Sequence, residues 1–438
     1  MLKRPIGVAR GILSGRSPML AMAQSVGAEF VVLALNVLTG LVTARLLGPE
    51  GRGVFAAVTL WQQLVASLGV AGLQTAVIYH SRRPGLDRGE VAGAAAVAAM
   101  ASTSALALLA ALVIPPMMAG YPGWAVGAAL LCLGVAHLNA LHMIVKQSFA
   151  AAGAYRLFNL ASVLSPLLFL ALLGVAAARG LTPGAAIAAL ALTAALALLW
   201  LLPAWWRVVR PSLGRLRETW AAMRGYAARA AGSDAVNALS GYVDRLVLIP
   251  LVAGEALGLY VVAFSFSRLL LALRPAIDAV VFPSMADRAP ADMKRLHDRA
   301  FRVALAAMAA ALAALFALDA FLLTLLYGEA FAAAAPLFRV LALEAALTLL
   351  GGITMRYLLA RGLPTLVSGV QIGGLALSTA LVLGLVPRFG VEGAAWAVAV
   401  AAGLKLAALV GLLGALGHGV PRPLMGPADL RYILERLR

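Results

Sequence analysis

Residues 26–79 read VGAEFVVLALNVLTGLVTARLLGPEGRGVFAAVTLWQQLVASLGVAGLQTAVIY, two long apolar runs joined by the turn Gly48-Pro49-Glu50-Gly51-Arg52-Gly53. Each run supplies the roughly 20 mostly apolar residues that a helix needs to cross a bilayer. Neither alternates apolar with polar residues, as a strand of an outer-membrane barrel would. The Gly-Pro pair punctuates the runs, because proline does not continue a helix interior. Two helical spans and a tight turn are the unit from which the rest of the chain is read.

Outward from this hairpin the same pattern recurs. The chain has 438 residues, 63% of them hydrophobic and 12% charged, against about a quarter charged in soluble domains. Apolar runs divided at breakers predict spans at about 26–46, 54–79, 91–114, 124–145, 157–178 and 184–203. A second set is predicted at about 228–252, 258–284, 303–327, 335–359, 365–386 and 392–416. Pro84-Gly85, Pro115-Pro116, Pro183-Gly184 and Pro387 fall in the connectors. The fold class expected is an all-α membrane protein of about 12 transmembrane helices. The single cysteine, Cys132, lies in an apolar run and has no internal disulfide partner. The first run is long enough to span and follows a basic lead, unlike a cleaved signal peptide.

Charge orients the helices. The formal net charge is +17, which in a soluble protein would point to nucleic acid. Here the basic residues sit in short loops between apolar runs, so the positive-inside rule accounts for them and no nucleic-acid partner is expected. With the N-terminus cytoplasmic, 24 Lys and Arg residues fall on the cytoplasmic side. Only Arg45, Arg52, Arg179 and Arg388 fall on the other. Both termini are therefore expected to be cytoplasmic.

The longest connector, 204–227, is basic and follows span six. It divides the chain into a cytoplasmic basic segment (1–25), an N-lobe (26–203), the linker, a C-lobe (228–416) and a cytoplasmic tail (417–438). The lobes carry traces of a repeat. Residues 47–55, LGPEGRGVF, align with 252–260, VAGEALGLY, so that Glu, Gly and an aromatic recur at an offset of 205. The same offset places Glu29 on Asp234. An even number of spans per lobe makes this a parallel repeat.

Ionisable groups within spans are costly and mark sites that face a bundle interior or a wet cavity. The N-lobe holds Glu29, His137 and His142; the C-lobe holds many more. Helical spacing places Glu29, Asn36, Gly40 and Thr43 on one face of span one. It places Asp234, Asn237, Gly241, Asp244 and Arg245 on one face of span seven, and Glu344, Thr348, Gly351 and Met355 on one face of span ten. Such stripes suit helices that line a cavity, although polar residues also simply bond neighbouring membrane helices. Arg274 and Asp278 are spaced to pair with each other, and Arg229 and Arg356 lie where they could snorkel to headgroups.

Guanidinium groups bind phosphate through paired hydrogen bonds and stay charged, so Arg245, Arg268 and Arg274 are candidates for an anionic headgroup, with Arg229 and Arg356 behind them. The carboxylates of Glu29, Asp234, Asp244 and Glu344, with Asn36 and Asn237, form a polar seam suited to a coupling cation or proton. No G-x-x-x-x-G-K-[ST] loop, no His/Cys cluster with metal spacing and no G-x-S-x-G is present. No bound cofactor is expected. The outer loops are short, and where a membrane glycan-synthesis enzyme needs essential acidic or histidine groups they offer only Glu50, Glu255, Glu329 and Glu392.

Residues 44–55, ARLLGPEGRGVF, resemble the first loop of the oligosaccharide (Wzx-type) flippases of the multidrug/oligosaccharidyl-lipid/polysaccharide exporter superfamily. Val243-Asp244-Arg245, Leu257-Gly258-Leu259-Tyr260, residues 281–286 (VFPSMA), Gly328-Glu329-Ala330-Phe331 with Pro336, and residues 389–397 (FGVEGAAWA) agree with that family in order. The likeness covers about residues 25–416. It implies two six-helix lobes around a cavity that opens alternately to each side of a bacterial cytoplasmic membrane. The cargo implied is an oligosaccharide on a polyprenyl pyrophosphate, flipped to the outer leaflet for O-antigen, exopolysaccharide or capsule synthesis. Polysaccharide polymerases and glycosyltransferases are the implied partners, beside membrane lipids. The chain departs from the related lipid II flippase, which has further C-terminal helices and arginines in its first lobe. Two alternatives stay open: a cation-coupled multidrug exporter of the same fold, and a membrane-embedded glycan-synthesis enzyme.

Overall fold

The computed structural model describes residues 18–273 and 290–421, and these are helical almost throughout. In chain order the helices are α1 (Pro18–Gly69), α2 (Leu73–His80), α3 (Arg88–Met117), α4 (Gly123–Ala151), α5 (Tyr155–Ala177) and α6 (Pro183–Val208). Then come α7 (Leu216–Ser240), α8 (Val243–Leu248), α9 (Gly254–Ser267), α10 (Pro290–Tyr327), α11 (Ala335–Ala360) and α12 (Pro364–Ala415). Short 3-10 turns at Arg268–Leu273 and Glu329–Ala334 follow α9 and precede α11. The predicted candidates Arg274 and Asp278, and the stretch 281–286, lie outside the described residues.

Among the described residues, nine stretches are long and apolar enough to cross a membrane. Two of them bend where the sequence predicts a connector. Gly48 (φ 66°) breaks α1 and Gly390 (φ 56°) breaks α12, a left-handed geometry that glycine adopts without a Cβ clash. The predicted span 228–252 is not among the nine. It falls on α7 and α8, and α7 carries Arg217, Glu218, Arg224, Arg229 and Asp234. Helix starts follow local chemistry. The Asp87 carboxylate accepts from the backbone N–H groups of Gly89 and Glu90 to cap α3, and the Thr182 hydroxyl accepts from Ala185 before Pro183 opens α6.

The chain forms two compact units. One holds Val58–Ala238 with the residues up to Leu47; the other holds Gly48–Ala57 and the residues from Leu239 onward. In the first unit, Val145, Phe149, Ala161, Leu198, Leu201 and Trp205 interlock α4, α5 and α6. In the second, Tyr357, Leu358, Val367, Leu409 and Leu413 join α11 to α12, and Phe301, Leu350 and Ile353 join α10 to α11. Lipid tails are as apolar as these side chains, so their contribution is close packing rather than removal from water.

The aligned turns of the sequence repeat meet inside the second unit. A Cβ on Gly53 would overlap the Gly254 carbonyl, and a Cβ on Gly258 would overlap the Pro49 carbonyl. Adding 205 converts Pro49 to Gly254 and Gly53 to Gly258, so each contact is the other's counterpart under the repeat. This is the reciprocity of a two-fold contact, and it needs glycine because two backbones touch.

Candidate functional site

The richest cluster of candidates lies in the second unit, around one aromatic ring. Tyr260, Phe264 and Arg268 follow at four-residue intervals along α9 and into the 3-10 turn, so they share a face. α8 supplies Asp244 and Arg245, and α11 supplies Glu344 and Thr348. Both guanidinium groups stand over Phe264, Arg245 at 4.4 Å and Arg268 at 4.1 Å from the ring centre. Each such contact contributes about 1 kcal/mol, more when water is excluded.

A carboxylate backs each arginine. Asp244 is 3% exposed. It accepts a hydrogen bond of 2.6 Å from the Tyr260 hydroxyl and lies 3.7 Å from Arg245 Nε. Arg245 also donates to the Gly241 carbonyl. Arg268 Nη2 is 2.7 Å from Glu344 Oε2, while Glu344 Oε1 accepts from the Thr348 hydroxyl at 2.7 Å. Neither arginine is saturated: Arg245 Nε and Arg268 Nε make no hydrogen bond. A guanidinium has five N–H donors in a planar fork. Each of the two arginines is thus paired with one carboxylate, and both Nε–H groups are buried without an acceptor.

Of the remaining described candidates, Arg356 belongs to the second unit and the others to the first. Arg356, further along α11, donates to the Gly352 carbonyl at 3.1 Å. Asp234 belongs to the first unit, where it accepts from the Gly72 backbone N–H at 2.9 Å and so secures the start of α2. Arg229 and Asn237 are exposed on α7, and Glu29 and Asn36 are exposed on α1. Glu29 is within electrostatic reach of Lys146. The stripe predicted to run from Asp234 to Arg245 on one helix is interrupted: α7 ends at Ser240, Tyr242 leaves helical geometry, and α8 starts afresh at Val243. Among the described residues, no group of three His, Cys, Asp or Glu side chains could hold a metal ion.

Several members escape a reading based on charge alone. Tyr260 and Phe264 share the four-residue spacing of Arg268, but as aromatic residues in an apolar run they read as packing. Arg339 of α11 holds Asp319 of α10 through two hydrogen bonds, one of 3.3 Å; an acid and a base on different helices carry no sequence signal of pairing. Gln62 and Asn139 pair at 2.6 Å in the first unit, again between helices.

Residues 42–336, about two thirds of the chain, match the family described as polysaccharide biosynthesis protein. No curated protein matches. Among solved structures, the lipid II flippase MurJ in an inward closed conformation superposes with a TM-score of 0.74 at 13% identity, over 88% of this chain and 86% of that one. An inward-facing multidrug resistance transporter of the MATE family gives 0.68 at 17% identity, over 91% and 99%. A transporter of the same superfamily from Pyrococcus furiosus gives 0.58 at 16% identity, over 91% and 97%. These similarities establish the fold, an all-helical one shared with the solved MurJ and MATE structures. The chain belongs to the polysaccharide biosynthesis protein family.

Proposed function

We propose that this protein flips a polyprenyl-pyrophosphate-linked oligosaccharide from the cytoplasmic to the outer leaflet of a bacterial cytoplasmic membrane, for O-antigen, exopolysaccharide or capsule synthesis. In this reading the chain crosses the membrane twelve times with both termini in the cytoplasm, which the 24-to-4 partition of basic residues supports. It acts as a transporter, by alternating access of two six-helix lobes, and supplies polysaccharide polymerases with the product of glycosyltransferases.

The observation that carries the reading is the pair Arg245 and Arg268 over Phe264, each with a carboxylate behind it. A pyrophosphate needs several fixed N–H donors and positive charge, and guanidinium provides both. Asp244 and Glu344 hold the arginines when no anion is bound. An arriving phosphate competes with them and leaves the carboxylates free for a proton or cation. Binding and release then exchange one ion partner for another, without stranding a charge in the membrane. A drug exporter of the same fold would take cations, and two stacked arginines disfavour that cargo.

The test is equilibrium binding of a short-chain polyprenyl-pyrophosphate oligosaccharide to the purified protein. Arg245→Ala and Arg268→Ala are each expected to weaken binding by about tenfold or more, as loss of a charge-assisted hydrogen bond would. Unchanged binding in both variants overturns the headgroup assignment.

A further inference from the structure

The first unit holds a groove of about 1020 Å³ between α7, α3 and the turn that joins α1 to α2. Its existence follows from how α7 is tied down. Just before α7, Arg215 donates to both oxygens of Glu90 on α3, at 3.0 Å each, which holds the Arg215 guanidinium above its ordinary pKa. Further along, Asp234 receives the Gly72 N–H, and the backbone of α7 at Ala227 and Ala231 presses on Gly72 where any Cβ would collide. Between the two ties α7 stands off α3. Alanines face the gap from both sides: Ala98 and Ala101 from α3, Ala228, Ala231 and Ala235 from α7.

Chemistry and depth define the occupant. The walls are apolar and small, so they bind hydrocarbon. Arg217, Trp220 and Arg224 line the end near the Arg215–Glu90 pair, spaced three and four residues apart on one face of α7. They offer cationic donors to a phosphate at the membrane surface. The lining runs twelve residues along α3, from Ala94 to Leu106, and eighteen along α7, from Arg217 to Ala235. At about 1.5 Å per residue these are lengths of roughly 18 and 27 Å. The acyl chains of a phospholipid stop near the midplane, at roughly 15 Å, half of a ~30 Å core. The groove continues past that level.

We infer that this groove seats the polyprenyl chain of the cargo, with its phosphate end beside Arg217 and Arg224, before the headgroup reaches Arg245 and Arg268. The inference rests on the flippase reading and adds to it a docking place for the lipid in the first unit.

Photolabelling tests it, with the full-length protein in liposomes and a long-chain polyprenyl-pyrophosphate oligosaccharide that carries a diazirine at the far end of its chain. The expected adducts fall on α3 around Ala98–Leu106 and on α7 around Ala228–Ala235. They should be lost in Ala231→Phe and, independently, in Ala98→Leu. Either variant should weaken binding of the long-chain compound by about fivefold, since the tail leaves bilayer for groove and only the difference in packing counts. Binding of the same headgroup on a five-carbon dimethylallyl chain, too short to reach Ala98 or Ala231, should be unchanged. Adducts spread over lipid-facing positions such as Leu108, Leu112 and Leu131, or equal protection by an anionic phospholipid, would overturn the inference while leaving Arg268-dependent headgroup binding intact. Absence of headgroup binding to the unaltered protein would overturn both readings.

Discussion

Arg268→Ala should weaken the fold and headgroup binding together, and a second substitution separates the two effects. Glu344 is 7% exposed, and its cationic partner is Arg268 Nη2 at 2.7 Å. Without the arginine the carboxylate keeps only the Thr348 hydroxyl. Stranding a buried ion costs about 3–5 kcal/mol. The Arg268 side chain is 27% exposed, so solvent already screens the pair, and a loss of about 2 kcal/mol is the better figure. Losing the stack on Phe264 adds about 1 kcal/mol. In the double variant Arg268→Ala/Glu344→Ala no charge is stranded, so only about 1 kcal/mol of destabilisation should remain. Binding should behave differently: single and double variants should both bind the pyrophosphate headgroup about tenfold or more weakly, because both lack the guanidinium. Thermal unfolding of the purified protein gives the stability cycle, and titration with the short-chain substrate gives the binding. If the double variant regained binding along with stability, Arg268 would only neutralise Glu344, and its assignment to the headgroup would be refuted.

Three further expectations concern the same architecture. Tyr260→Phe keeps the ring and removes the donor to buried Asp244; a loss of about 2 kcal/mol is expected in thermal or denaturant unfolding, and no loss would mean that Asp244 is satisfied otherwise. Gly258→Ala forces a Cβ into the Pro49 carbonyl and should destabilise the protein by about 3 kcal/mol, whereas Gly254→Ala, whose Cβ would meet its nearest neighbours at 3.6 Å, should be near neutral; similar unfolding curves for the two variants would contradict the close backbone crossing. Asp234→Ala removes the acceptor for Gly72 N–H and should cost about 1 kcal/mol without altering headgroup affinity, so a loss of affinity would return Asp234 to the binding machinery.

Apolar run length carries most of the fold into the sequence. Long runs of Ala, Leu and Val have one low-energy form in a bilayer, the helix, because each backbone N–H and C=O must be satisfied internally. The bends at Gly48 and Gly390 fall in connectors that the sequence marks with Gly48-Pro49 and Pro387. The 205-residue offset proved informative beyond its alignment, since the aligned turns touch through reciprocal glycines. Span seven was harder. Helical periodicity joins Asp234 to Arg245 only while the helix is continuous, and Gly241-Tyr242 interrupts it. Asp234 then serves the start of α2, while Asp244 and Arg245 turn to Tyr260 and Phe264.

Of the candidate site, the charged members were legible because ions within apolar runs stand out. Their partners were not. Which carboxylate meets which arginine depends on the packing of α8, α9 and α11, and contacts between helices leave no periodic trace. Phe264 was concealed for another reason: an aromatic residue in an apolar run is read as packing until two guanidinium groups are found on its face. The groove along α7 was invisible for the same cause, since alanine runs read alike whether they are packed or open.

The account is tested most directly by reconstituting the protein in liposomes with a fluorescent short-chain polyprenyl-pyrophosphate oligosaccharide and following its accessibility to an impermeant quencher. The account predicts protein-dependent movement between leaflets that is strongly reduced by Arg268→Ala. Absence of movement in the presence of cation-driven efflux of lipophilic dyes would contradict it and favour a multidrug exporter.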